Sequence, residues 1–83
     1  MKGLAGPWLV KLDHLVVATG MTEAEARTYA ADLVHQAADR AYVAPGAWAD
    51  KATELATLIM NREATFGKVG QWFIAVRPSD GQD

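Results

Sequence analysis

Cysteine is absent from the 83 residues. That excludes disulfides, thiolate metal sites and cysteine nucleophiles, and it fits a reducing compartment. Long apolar runs are missing too. The stretch from Pro7 to Leu12 is interrupted by Lys11 and followed by Asp13 and His14, too short for a signal-peptide core or a membrane span. The expectation is a soluble cytoplasmic protein with no membrane partner. A surplus of positive charge is also lacking: eight basic residues stand against ten acidic ones, a net charge of −2. Sequence-independent binders of DNA or RNA carry the opposite balance, because phosphate neutralisation supplies most of their affinity. Nucleic acid is therefore disfavoured as a partner.

Large side chains are scarcer than composition suggests. Hydrophobic residues make up 51 %, but 16 of them are alanine. A chain of this length forms one small domain, residues 1–83, and buries only roughly 60 % of the surface its unfolded state exposes. Its core is thin, and association with a partner or with itself becomes an early expectation.

Met1 to Pro7, with two glycines and a proline, reads as a flexible lead-in, and Ser79 to Asp83 as a frayed polar tail. Trp8 to Ala18 reads as one strand. Trp8, Val10, Leu12, His14, Val16 and Ala18 fall on one face, and Leu9, Lys11, Asp13, Leu15 and Val17 on the other. Thr22-Glu23-Ala24-Glu25 matches a capping box. It opens a helix expected from Glu23 to about Val43, with a buried stripe of Ala26, Ala30, Leu33, Ala37 and Ala41 flanked by Tyr29 and Val34. Pro45 suits the first position of a second helix, running to about Ala64 with Trp48, Ala52, Leu55, Ala56 and Ile59 buried. Val69 to Arg77 is a second strand, apolar on both faces through Trp72-Phe73-Ile74-Ala75-Val76.

This order, β-α-α-β, predicts an α+β fold: an antiparallel helical hairpin on one face of a small antiparallel sheet made by the N- and C-terminal strands. A strand apolar on both faces asks for cover on both, and the chain supplies helices for one. Either two copies join or another protein covers the second face.

No constellation of residues demands catalysis. Asp13 and His14 are neighbours on a strand and point to opposite faces, so they do not share a proton. Asp32, His35 and Asp39 lie on one helical face at a spacing that could ligate a metal, yet a solvated face explains them without one. Glu25, Asp32 and Asp39 form an acidic stripe of only three charges. Gly67-Lys68-Val69-Gly70 follows a helix instead of preceding one, so it reads as a turn and not as a phosphate loop. No catalytic residue, metal or cofactor is expected.

Trp8 and Trp48 fall on buried stripes. Trp72 and Phe73 point to opposite sides of a strand, so one of them faces away from the helices, as interface aromatics do. The expected partner-binding residues are Trp72, Phe73 and Ile74, with Leu9 and Leu15 beside them. The expected function is a non-enzymatic module that binds another protein stoichiometrically, as an inhibitor or adaptor, with a homodimer as a further expectation. Small self-contained chains of this kind are common among phage and mobile-element proteins that bind host machinery. The competing reading is a dimeric DNA-binding regulator, because strand–helix–helix from Trp8 to Met60 resembles the order of ribbon–helix–helix repressors. That family's outward strand side chains are polar and basic, whereas here they are Leu9, Lys11, Asp13 and Leu15.

Overall fold

The computed structural model describes residues 7–41 and 45–78. Most of the expected lead-in, the expected polar tail and the expected last residues of the first helix (42–43) lie outside the described residues. Within them the fold is α+β, with the order β1 (Trp8–Leu12), β2 (Leu15–Met21), α1 (Glu23–Asp39), α2 (Pro45–Met60), β3 (Phe66–Val69) and β4 (Trp72–Pro78). The four strands form one antiparallel sheet, β2-β1-β4-β3. Its centre is the expected pairing of terminal strands: β1 runs antiparallel to β4, from Trp8 opposite Pro78 to Leu12 opposite Ile74.

Each expected strand is in fact part of a hairpin. Asp13 and His14 form a two-residue loop between Leu12 and Leu15, with Asp13 at φ 57. Aspartate tolerates this left-handed conformation better than most residues. These two residues are therefore turn residues, not alternating strand positions. At the other end, Gly70 and Gln71 link Val69 to Trp72, and Gly67 to Val69 belong to β3 instead of a turn. Gly70 has φ +60, and a Cβ there would lie 3.2 Å from the Ala37 carbonyl oxygen and 3.3 Å from the Ala41 Cβ. Gly70→Ala should lower stability by about 1–2 kcal/mol, read as a lower urea midpoint with an unchanged slope.

α1 begins as the capping box predicts. The Glu25 amide donates to the Thr22 hydroxyl oxygen at 3.1 Å, and the Thr22 amide donates to Glu25 Oε1 at 3.0 Å. The helix stops at Asp39, short of Val43. Arg40 takes a non-helical cap conformation, and its guanidinium lies 5.8 Å from the centre of the Trp72 ring. α2 likewise ends at Met60, not Ala64. Arg62 adopts φ 66, its amide donates to the Ile59 carbonyl, and the Glu63 amide donates to that of Leu58 at 2.8 Å. This is a Schellman closure with arginine where glycine is usual.

Both helices lie on one side of the sheet. α1 crosses all four strands, while α2 packs on α1 and reaches the sheet at β3, where the Leu55 side chain fills the space that a Cβ on Gly67 would take. The core unites Val10, Val69, Ile74 and Val76 with Ala26, Ala30, Leu33, Val34, Ala37, Ala38, Ala52, Ala56 and Ile59. Alanine at six of these positions lets the helices approach closely. Tyr29, expected at the edge of the first stripe, is exposed instead, as is Met60 at the end of α2.

Buried beside this apolar set is Arg27. Its Nε donates to Glu23 Oε2 at 2.9 Å, while Nη1 donates to the carbonyls of Ile59 (2.8 Å) and Ala64 (3.0 Å). Its guanidinium also lies 5.5 Å from the Trp8 ring centre. One side chain thus ties α1 to the end of α2, to the segment leading into β3, and to β1.

Candidate interaction face

Strand pairing determines which side chains share the helix-free side of the sheet. Val16, Lys11, Ala75 and Phe66 are successive partners across β2, β1, β4 and β3. Lys68 opposite Phe73 makes the row on one side, and Leu9 opposite Arg77 the row on the other. None of these residues belongs to the helix-side core. Phe66 is 60 % exposed and Phe73 40 %, and their ring centroids are 5.7 Å apart with planes tilted by 33°.

The expected binding residues divide between the two sides. Phe73 is the aromatic that faces outward. Trp72 is half-buried against the helices, with Arg40 over its ring. Ile74 is wholly buried beneath the helices, so its side chain has no surface to offer. Leu9 lies on the open side yet is nearly covered. Its neighbours along and across the ladder are Lys11 and Arg77. Leu15 does not share a face with Leu9, because the two-residue turn puts it opposite Leu12, on the helix side. It is nevertheless 68 % exposed.

Asp13 holds Phe73 in place. Its amide donates to the Phe73 carbonyl at 2.7 Å, and its carboxylate accepts from the Phe73 amide at 3.1 Å. The first hairpin turn therefore grips the backbone of the central aromatic from the neighbouring strand. Phe66, Lys11 and Val16 complete the face and were not apparent as site residues in the sequence. The alternation Phe66-x-Lys68 was the signal for β3, and the loop glycines around it obscured that signal.

Charge is segregated between the two layers. The strands carry Lys11, Lys68 and Arg77 and no carboxylate, while the helices carry Glu23, Glu25, Asp32, Asp39, Asp50 and Glu54 against Arg27 and Lys51. A net charge of −2 thus conceals a cationic, aromatic sheet face.

The remaining candidates are plainer. Asp32 accepts a hydrogen bond from Gln36 Nε2 at 2.8 Å, and among the described residues no group of three His, Cys, Asp or Glu is placed to hold a metal ion. The described surface includes open depressions. One, of about 280 Å³, lies between α2 and β3 along Lys51, Glu54, Leu55 and Lys68, and another, of about 530 Å³, lies beside Met21, Glu25, Tyr29 and Asp32. No described helix is long and apolar enough to cross a membrane. No family model matches the chain, and neither a curated protein nor a solved structure matches it, so a functional reading rests on the geometry of this sheet face.

Proposed function

We propose that this chain is a small, non-enzymatic protein-binding module that acts in the cytoplasm by stoichiometric contact, as an inhibitor or adaptor, through the helix-free face of its sheet. The observation that carries the reading is the Phe66–Phe73 pair, largely exposed on a sheet whose other side is occupied by helices. Aromatic side chains are enriched in interface centres because they bury much area for few frozen torsions. Lys11, Lys68 and Arg77 around them favour a partner with acidic groups, since such charges speed encounter and reject like-charged surfaces.

The same juxtaposition of cations and aromatics supports a second reading, a single-stranded nucleic acid stacked on Phe66 and Phe73. A ribbon–helix–helix mode finds less support. β1 is paired on both sides, by β2 and β4, which leaves it no edge for the strand of a second copy.

The test is retention from a source-cell lysate, before and after nuclease treatment, on the intact chain and on a Phe66→Ser/Phe73→Ser variant with an unchanged circular dichroism spectrum. The expected result is one protein held near one-to-one, insensitive to nuclease, and reduced at least tenfold in the variant. Retention that vanishes with nuclease supports the second reading. Equal retention by both proteins overturns the assignment of the face.

A further inference from the structure

Ala75 stands at the centre of the open sheet face, and its neighbours there are all longer. Lys11 and Phe66 flank it across the ladder, about 4.8 Å away on either side, while Phe73 and Arg77 flank it along β4, about 6.8 Å away. Ile74 and Val76, which alternate with these residues on β4, are buried beneath the helices, so Phe73, Ala75 and Arg77 project outward. Ala75 itself is covered only in part. One methyl group ringed by long side chains forms a recess. Its wall is aromatic at the corner of Phe66 and Phe73, whose rings touch each other, and cationic at the opposite corner of Lys11 and Arg77. Lys68, opposite Phe73, extends the positive charge beyond the rings. Among the described residues neither Lys11 nor Lys68 has an ion-pair partner.

We propose that this recess receives one large apolar side chain from an acidic peptide segment of the partner, with carboxylates on either side of it meeting Lys11 and Lys68; the inference rests on the binding face assigned above. An anchor side chain seated in a pocket is the usual centre of an interface, and here Ala75 sets the depth available to it. Charge selects the segment. Opposite potentials across an interface speed encounter and fix register, whereas a basic segment meets repulsion from three cations. Nucleic acid is the other anionic occupant, but its affinity comes from neutralising many phosphates, roughly six to ten in a strong binder. The strands supply only Lys11, Lys68 and Arg77, and the helix layer behind them is acidic. A short acidic segment matches so small a patch, and a polyanion running past it does not.

Random twelve-residue peptides displayed on phage, selected on the intact chain and in parallel on Phe66→Ser/Phe73→Ser, provide the test. The pool specific to the intact chain should carry a large apolar residue beside two or more aspartates or glutamates. A synthetic peptide from that pool, followed by fluorescence anisotropy, should bind Ala75→Met about tenfold more weakly, because the methionine stem fills the recess, and Lys11→Glu/Lys68→Glu more weakly by at least as much. Ala75→Ser leaves the recess open and should bind within about twofold of the unaltered chain. Circular dichroism reports folding, and Ala75→Val, whose branched side chain suits a strand, gives a second filling should Ala75→Met not fold. A pool without acidic residues overturns the proposal, and so does a peptide indifferent to filling at Ala75. In both cases the binding face itself stands as long as Phe66→Ser/Phe73→Ser loses the peptide. Identical pools on the two chains overturn the face and the proposal together. Oligothymidylate bound more tightly than any selected peptide also overturns the proposal, by assigning the face to single-stranded nucleic acid.

Discussion

Arg27→Met should destabilise the protein by about 3 kcal/mol, the usual consequence of removing one partner from a buried charged network. For a domain of this size that corresponds to a fall in Tm of roughly 12–24 °C. Methionine retains much of the aliphatic stem, so the loss comes from the guanidinium. The carbonyls of Ile59 and Ala64 lose the donor they share, and Glu23 loses its nearest cation. Glu23 is partly exposed and retains a longer contact with Arg62 at 3.4 Å, which limits its share of the cost. Arg27→Lys should recover only part of the loss, because one ammonium cannot reproduce a planar fork serving a carboxylate and two carbonyls. Thermal unfolding followed by circular dichroism reads both variants. A shift below about 3 °C for Arg27→Met would show that water replaces the guanidinium at little cost.

Ile74→Ala and Phe73→Ala, one position apart, should have opposite consequences. Ile74 is completely buried in a central strand, and emptying such a site costs about 2–5 kcal/mol through lost transfer energy and the cavity left behind. Phe73 is 40 % exposed and its aromatic neighbour is Phe66. Its truncation should cost about 1–2 kcal/mol, the partial burial of one ring together with one aromatic pair, while reducing partner retention at least tenfold. Urea unfolding gives the first quantity and the lysate experiment the second. Ile74→Val, which keeps most of the volume, should bind as the unaltered chain does. If Phe73→Ala proved the more destabilising of the two, the outward ring would be a structural element and not a binding one.

Much of this architecture is legible in the residues. The capping box at Thr22, the alanine stripes and Pro45 at a helix start are local signals, and tertiary packing reinforces them. The pairing of the terminal strands follows from the antiparallel return of a helical hairpin. The two hairpin turns were not legible, because Asp13-His14 lacks the Asn-Gly signature and sits within an apolar run. That turn changes which residues share a side, which is why Leu15 parts company with Leu9. Arg27 was hidden for a different reason. Its value lies in two carbonyls more than thirty positions away, and no periodicity in a sequence reports a distant backbone acceptor. The outward aromatic was predictable as one of two residues; only the register shows that it is Phe73.

The sheet order also bears on how the molecule assembles itself. β1–β2 and β3–β4 are hairpins whose contacts are local, and the helices between them meet across a short connection. The seam joining β1 to β4, in contrast, links residues roughly sixty to seventy positions apart, and closing so long a loop is the slow, entropically opposed event in folding. Until that seam forms, each half presents an unpaired strand edge lined by Val10 or Ile74. A nascent chain therefore carries an open first hairpin until β4, some fifty residues further on, has been made. Its protection in that interval falls to α1 docking early, with the Thr22 cap as the device that starts the helix.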